Sequence, residues 1–256
     1  MSKKRKTGTR EWAESNYNIG TGCAHDCLYC YARSNAVRFK EIGSDSEWTT
    51  EKIKDKLSPI TKKNGWIMFP TTHDITPFYL PASLKALEEL LKKGNNVLIV
   101  SKPHLECITA ICDAMKDYKN NILFRFTIGT TNDSKLAFWE PNAPFFDERY
   151  LSLVKAFSNG FATSVSMEPM LDSVYNTLFT FNRLSSFVTD KIWIGKMNKI
   201  DSRVRKSSKE IEAACEEIEK NQTDDDIMWL VGVLKDHPKI AWKDSIKEII
   251  EKYDKS

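Results

Sequence analysis

The sequence has no apolar run long enough to cross a bilayer, because none of its hydrophobic stretches reaches about 18 residues. Residues 1–6 are mostly basic and polar and lack the apolar core of a secretory signal. Neither sign of charge dominates, since 38 Lys and Arg residues face 35 Asp and Glu residues, for a formal net charge of +3. That charge does not by itself demand a nucleic-acid partner. We therefore predict a cytoplasmic protein with no membrane partner.

Disulfide bonds are also not expected, although the chain has six cysteines. A chain of 256 residues without an export signal is predicted to work in a reducing compartment, where thiols stay free. Cys112 and Cys215 fall on apolar helical stripes and are predicted to be core residues. We interpret Cys107, near the edge of the first stripe, in the same way. The sequence has no internal repeat and no low-complexity segment.

Short apolar segments alternate with helical patterns along most of the chain. Six such segments are predicted to be strands, at residues 17–19, 66–70, 97–100, 122–128, 161–167 and 192–195. The connections are too long for hairpins, which predicts a parallel sheet covered by helices. Right-handed crossovers would curve that sheet into an α/β fold, a partial (β/α)6 TIM-type barrel.

We predict three parts in the chain. They are a basic, flexible N-terminus at 1–15, the partial barrel at 16–200, and a helical C-terminal extension at 201–256. The extension is assigned as helical because its apolar residues recur at helical spacing, and because acidic residues at 224–226 precede one of its helices.

Three cysteines lie close together in the C-x3-C-x2-C arrangement of Cys23, Cys27 and Cys30, with no fourth cysteine nearby. A structural zinc site normally uses four nitrogen or sulfur ligands, and a ferredoxin-type cluster normally uses four cysteines. A cubane cluster held by three thiolates instead leaves one iron open to another ligand. The cysteines follow the first predicted strand, and barrels of this kind carry their active sites at the carboxyl ends of the strands.

His25 lies inside the triplet and supplies the main alternative, a zinc site made of three cysteines and this histidine. A protein of that kind would bind zinc or a cluster without catalysing a reaction. The predicted strand before the cysteines and the predicted helix after them favour a catalytic cluster. We expect His25 to be an exposed loop residue.

Polar side chains follow the apolar part of each later strand, which is how a pocket for a polar ligand is built. The residues at these predicted strand ends include Thr72, His73, Lys102, Thr127 and Glu168.

The cysteine motif resembles that of the radical S-adenosylmethionine (SAM) enzymes, in which the amino and carboxylate groups of SAM chelate the open iron. Tyr29 occupies the position inside the last C-x-x-C where that family prefers an aromatic residue. Residues 123–128, 138–141 and 147–150 are similar to the spore photoproduct lyase branch of the family. The resemblance covers roughly residues 16–170.

This resemblance implies a [4Fe-4S] cluster on Cys23, Cys27 and Cys30, and SAM as a second cofactor. The implied reaction is reductive cleavage of SAM to a 5′-deoxyadenosyl radical that abstracts hydrogen from a substrate. An external electron donor of the flavodoxin or ferredoxin type is then required. The substrate is not identified; a nucleic acid is one candidate and a peptide or small metabolite another. The resemblance implies that His73, Lys102 and Thr127 line the SAM site. From their chemistry and their positions we predict that Tyr29, Thr72 and Glu168 contact SAM as well.

Thr71 marks a departure from the lyase pattern. The lyases carry a hydrogen-donating cysteine at the position that Thr71 occupies here. A hydroxyl holds its hydrogen too strongly to replace a thiol as a hydrogen-atom donor. We therefore do not expect this protein to repair thymine dimers by the lyase mechanism.

The ligand assignment is tested by comparing Cys27→Ala with Cys215→Ala after anaerobic reconstitution with iron and sulfide. Cys27→Ala should lose both bound iron and SAM cleavage, because two thiolates do not hold a cubane firmly. Cys215→Ala should keep its iron and lose only modest stability. Equal iron loss in the two variants would show that the ligands are assigned wrongly.

Overall fold

A computed structural model describes residues 8–197, 200–204 and 206–255 of the chain. Within these ranges the strands are short and are separated by helices. The strands are β1 (Ser15–Asn16), β2 (Gly20–Thr21), β3 (Lys52–Ile53), β4 (Trp66–Phe69), β5 (Asn96–Ser101), β6 (Ile122–Thr127), β7 (Ala162–Met167), β8 (Ile192–Ile194) and β9 (Ile240–Trp242). The helices are α1 (Tyr31–Arg38), α2 (Leu80–Lys92), α3 (Leu105–Ala114), α4 (Asp133–Trp139), α5 (Phe146–Ser158), α6 (Val174–Leu184), α7 (Ile200–Arg203), α8 (Lys209–Lys220), α9 (Asp224–Leu234) and α10 (Asp244–Tyr253).

Seven of the described strands form one parallel sheet in the order β1-β4-β5-β6-β7-β8-β9. The pair β2 and β3 forms a separate antiparallel ribbon. Each crossover between neighbouring parallel strands from β4 to β9 contains at least one helix, as parallel pairing requires. The predicted α/β class with a parallel sheet is confirmed, and the sheet remains open between β1 and β9.

The structure adds a seventh strand to the parallel sheet for which we predicted six, besides the separate β2–β3 ribbon. Residues 240–242, which lie in the predicted helical extension, form β9 and pair with β8 through Ile192 and Ile240. Only three residues form this strand, too few for an alternating pattern to be distinguished from the start of a helix. The predicted first strand also differs, since β1 ends at Asn16 and pairs with Ile67 and Met68 of β4.

The first turns of two helices are stabilised in different ways. In helix α4 the side chain of Asn132 acts as the cap, accepting from the backbone N–H groups of Ser134 and Lys135. Helix α2 begins at Leu80 and carries proline in its first turn, where the missing N–H costs nothing.

Successive residues of the central strands face two different environments, as the pleat of a strand dictates. In β5, Val97 and Ile99 pack into the large core under the helices. Leu98 and Val100 point to the other face, where they join a smaller cluster with Met68. Both faces are apolar along most of the strand length, which explains the continuous hydrophobic runs.

Both ends of the described chain close this second face. Residues 8–11 form a 3-10 helix, and the Glu11 carboxylate accepts from Lys247 at 3.0 Å and contacts the buried ammonium of Lys243. The ammonium of Lys243 also lies 4.3 Å from the ring centroid of Trp12. Residues 8–15 of the predicted flexible terminus are thus packed into the fold, and residues 1–7 lie outside the described residues. The division of the chain into three parts stays a prediction.

None of the helices in the described ranges combines the length and the apolar composition that a bilayer span requires.

Two glycines allow the cysteine loop to approach its surroundings closely. Gly22 has φ +92°, and a Cβ atom there would lie 2.3 Å from the carbonyl oxygen of Thr50. A Cβ atom on Gly20 would lie 2.2 Å from the ring of Tyr79. The hydroxyl of Tyr79 in turn donates towards the carbonyl of Gly22 at 3.0 Å. The backbone just before Cys23 therefore depends on glycine.

Gly22→Ala should lower the free energy of unfolding by about 2 kcal/mol or more, because it combines an unfavourable positive φ with a backbone clash. Gly232→Ala is the matched control, since Gly232 lies in α9 with no atom within 4 Å of a new Cβ. That substitution should raise stability by about 0.5–1 kcal/mol. Urea denaturation of both variants measures the difference, and equal effects would contradict the role given to Gly22.

Candidate active site

A cavity of about 570 Å³ lies at the carboxyl ends of the central strands. Its size is within the range of small-molecule and cofactor sites. Every site residue predicted from the sequence lines this one cavity. These residues are Cys23, Cys27, Cys30, Tyr29, Thr72, His73, Lys102, Thr127 and Glu168.

The cysteine loop forms one wall of the cavity and is held by backbone hydrogen bonds to distant segments. The N–H of Cys23 donates to the carbonyl of Trp48 at 2.8 Å, and the N–H of Leu28 donates to the carbonyl of Trp139 at 2.9 Å. Cys30 is the residue before helix α1. The loop is therefore anchored at its beginning and in its middle, and it passes directly into a helix at its end.

The three thiols fit a metal cluster. All three cysteines are free, and Cys23 and Cys27 are each only 6% exposed. Burial raises the pKa of all three thiols, so without a cation they would remain protonated at neutral pH. Bound metal ions supply the positive charge that makes buried thiolates stable. The donor set therefore suits an iron–sulfur cluster better than a reactive free thiol.

His25 is buried, so our prediction of an exposed loop residue is wrong. Its Nδ1 lies 2.8 Å from Oδ2 of Asp74, and its Nε2 lies 2.9 Å from Nε2 of His104. Both ring nitrogens are thus engaged. The compact group of potential ligands found within the described ranges is Cys23, His25 and Asp74, whose atoms lie within 4.8 Å of one another. A zinc site that combines His25 with all three cysteines is not favoured by this geometry.

Asp74 orients Lys102 at the rim of the cavity. The carboxylate accepts from the backbone N–H of Lys102 at 2.8 Å and lies 3.6 Å from its ammonium. Burial alone would raise the pKa of Asp74, but the charge of Lys102 and the hydrogen bond with His25 outweigh it and lower this pKa. Sequence reasoning gave Asp74 no role, although its position directly after Thr72 and His73 at the end of β4 was a usable signal.

Five buried polar atoms of cavity-lining residues have no hydrogen-bond partner within the described part of the chain. They are Nε1 of Trp12, Nε1 of Trp48, Oγ1 of Thr72, Nε2 of His73 and Oγ of Ser166. A buried polar atom without a partner costs about 1–3 kcal/mol. Their convergence on one cavity indicates a polar ligand that satisfies them. Ser166 was missed as a candidate, although it lies at the end of β7 next to the predicted Glu168.

Glu168 meets a lysine that the sequence analysis missed. Its carboxylate lies 3.4 Å from the ammonium of Lys243. Burial raises the pKa of Glu168, and Lys243 offsets part of that rise. A Cβ atom on Gly195 would lie 3.0 Å from both side chains, so glycine leaves room for this pair. Lys243 directly follows β9, and the same strand-end argument would have found it had β9 been recognised.

Two threonines at the strand ends are held in different ways. The carbonyl of Thr127 accepts from Arg149 at 3.2 Å, which leaves the Thr127 side chain at the cavity. The hydroxyl of Thr71 is bonded to Asn18, accepting from its amide at 2.8 Å. Thr71 also lines the cavity.

Comparison with known sequences gives limited information. No family model matches the chain. The uncharacterized protein ORF301 of Acidianus two-tailed virus is 28% identical over 166 residues, which cover 60% of this chain and 54% of ORF301. The chain therefore matches about half of that relative's length.

Comparison with solved structures identifies the fold. A spore photoproduct lyase mutant matches with a TM-score of 0.57 at 14% identity, over 94% of this chain and 79% of the lyase. Streptococcus suis SuiB bound to its precursor peptide SuiA matches with a TM-score of 0.59 at 9% identity, over 93% of this chain and 51% of SuiB. The lyase has also been solved with a dinucleoside spore photoproduct, and SuiB with S-adenosylmethionine. Both are radical SAM enzymes, and this chain has their fold.

Burial lowers the pKa of His73 to about 4, so its ring is neutral in the folded protein. In the unfolded chain the imidazole of His73 binds a proton near pH 6.5. Between about pH 4 and pH 6.5 the unfolded state therefore holds more protons than the folded state. The free energy of unfolding should fall as the pH decreases from about 7 to about 4.5. Over this pH range the free energy of unfolding of His73→Asn should fall by about 2 kcal/mol less than that of the wild type. Urea titrations at each pH test this, and equal slopes would contradict it.

Proposed function

We propose that this protein is a radical SAM enzyme whose [4Fe-4S] cluster is held by Cys23, Cys27 and Cys30. The observation that carries the proposal is the cavity, where three cysteines, two of them buried, line one wall together with unsatisfied polar atoms at the ends of parallel strands. The shared fold with the lyase and SuiB supports it. When bound, the cluster and SAM supply one-electron cleavage of the sulfonium and a radical that abstracts hydrogen from the substrate.

The chain's own residues bind and orient SAM and keep water out. Lys102 meets the SAM carboxylate, with its position fixed by Asp74. Thr72, His73 and Thr127 supply polar contacts to the ribose and amino-acid parts. Two further contacts complete this assignment: the ring of Tyr29 lies along the adenine, and Glu168 receives the SAM ammonium or ribose hydroxyls.

We propose a nucleic acid as the substrate, with a peptide or small metabolite as the alternative. The cations Arg10, Lys196 and Arg203 line the cavity, and none of them forms an ion pair within the described residues. Unpaired positive charge at a cavity favours a polyanion such as a phosphodiester chain. The lyase structure with a dinucleoside and the SuiB structure with a peptide make both classes worth testing. An external electron donor of the flavodoxin or ferredoxin type completes the system.

Anaerobic reconstitution followed by addition of dithionite and SAM tests the proposal. We expect about four irons per chain, as a [4Fe-4S] cluster requires, and formation of 5′-deoxyadenosine measured by liquid chromatography. Cys215→Ala serves as the control that keeps the cluster. An intact cluster without any 5′-deoxyadenosine would refute the enzymatic function. Stoichiometric zinc in place of iron would favour the non-catalytic alternative.

The substrate is tested in the same assay with deuterium-labelled candidates. Transfer of deuterium from an oligonucleotide into 5′-deoxyadenosine would support a nucleic-acid substrate. Transfer only from a labelled peptide or metabolite would overturn that choice and leave the radical chemistry intact.

A further inference from the structure

A buried chain of polar side chains leads from Tyr29 through Glu140 to Arg149, and neither Glu140 nor Arg149 was given a role above. The hydroxyl of Tyr29 donates to Oε1 of Glu140 through a short contact. The other carboxylate oxygen of Glu140 lies 2.5 Å from the guanidinium of Arg149. Glu140 is 1% exposed and Arg149 is fully buried, so this ion pair is excluded from water.

Arg149 continues the chain to the end of a central strand. Its Nε donates to the carbonyl of Pro144 at 2.6 Å, and its Nη1 donates to the carbonyl of Thr127 at 3.2 Å. Thr127 is the last residue of β6 and lines the cavity. The planar guanidinium makes these contacts in fixed directions. The chain thus links the middle of the cysteine loop to the rim of the sheet.

The backbone beside Tyr29 is held by the same region. Its neighbour Leu28 donates its N–H to the carbonyl of Trp139, the residue before Glu140. The ammonium of Lys102 lies 5.7 Å from the ring centroid of Tyr29. Both the ring and the peptide of this loop segment are therefore fixed by residues at or just after the end of α4 and by the residue that follows β5.

Stability alone is a poor explanation for this arrangement. Burying two charges costs several kcal/mol each, and a well-packed apolar pair of similar volume is often at least as stable. A buried ion pair is better explained when its fixed geometry serves to position another side chain. Here the carboxylate oxygen of Glu140 that does not contact Arg149 accepts from the hydroxyl of Tyr29, which lies between Cys27 and Cys30 in the sequence.

We propose that Glu140 and Arg149 are positioning residues that hold the Tyr29 ring and the adjoining loop backbone in the place where the adenine of SAM binds. This inference rests on the proposed function. Neither residue touches SAM in this proposal; both act through Tyr29. Removing the connection should weaken binding of the adenosyl group while the cysteines still hold their iron.

The test uses Tyr29→Phe in the full-length, anaerobically reconstituted protein, because this substitution removes only the hydroxyl. Equilibrium dialysis with SAM and with 5′-deoxyadenosine should show binding about tenfold weaker for both probes, a difference of about 1.4 kcal/mol. Iron content should equal that of the wild type. Tyr17→Phe is the matched control, since the Tyr17 hydroxyl donates to the carbonyl of Ser58 at 3.0 Å and Tyr17 does not line the cavity.

A double-mutant cycle with Glu140→Gln separates positioning from general stability. If the residues act in one chain, Tyr29→Phe should have little further effect on SAM affinity once Glu140 is changed. Where Glu140→Gln alone fails to fold, the cycle is repeated in Glu140→Gln/Arg149→Met, which removes both buried charges together.

Unchanged SAM affinity in Tyr29→Phe, or loss of iron in parallel with affinity, would overturn the inference. Additive effects across the cycle would overturn it as well. A fully iron-loaded wild type that binds no SAM would refute the proposed function itself. If the wild type and Tyr29→Phe both bind SAM with equal affinity, only the positioning role is refuted.

Discussion

Gathering three cysteines, two of them buried, at one wall of a cavity is the constraint on which the rest of this structure depends. A thiol without a cation stays protonated when it is buried, and burial raises the pKa of each of these three. Protonated thiols do not hold the cysteine loop in shape by themselves, so contacts with the surrounding protein must do so. The protein does so with Gly22, whose conformation and close contact with Thr50 exclude other residues, and with backbone bonds to Trp48 and Trp139.

The buried charges around this loop are balanced in pairs. Asp74 is paired with Lys102, and Glu140 is paired with Arg149. Each acid keeps a lowered pKa although burial opposes ionisation, because its basic partner outweighs the loss of water. Lys102 lies near the ring of Tyr29, and Glu140 accepts from its hydroxyl. The two pairs thus hold this aromatic residue without leaving net charge beside the cysteines.

Much of the candidate site could be predicted, because parallel strands end at one edge of a sheet and bring the residues that follow them together. Thr72, Lys102, Thr127 and Glu168 were found by that argument and line one cavity. A residue that follows a very short strand could not be found in this way. Lys243 was missed because β9 has only three residues, too few to show a periodic pattern.

The sequence by itself determined the spacing of the cysteines, the apolar strands and the polar residues at their ends, because these depend on neighbours along the chain. Tertiary structure alone decided which side chains meet. His25 contacts Asp74 and His104, 49 and 79 positions away, and Tyr29 contacts Glu140 across 111 positions. No local pattern encodes such pairs, since they depend on the order of strands in the sheet and on how the connecting loops fold over its edge.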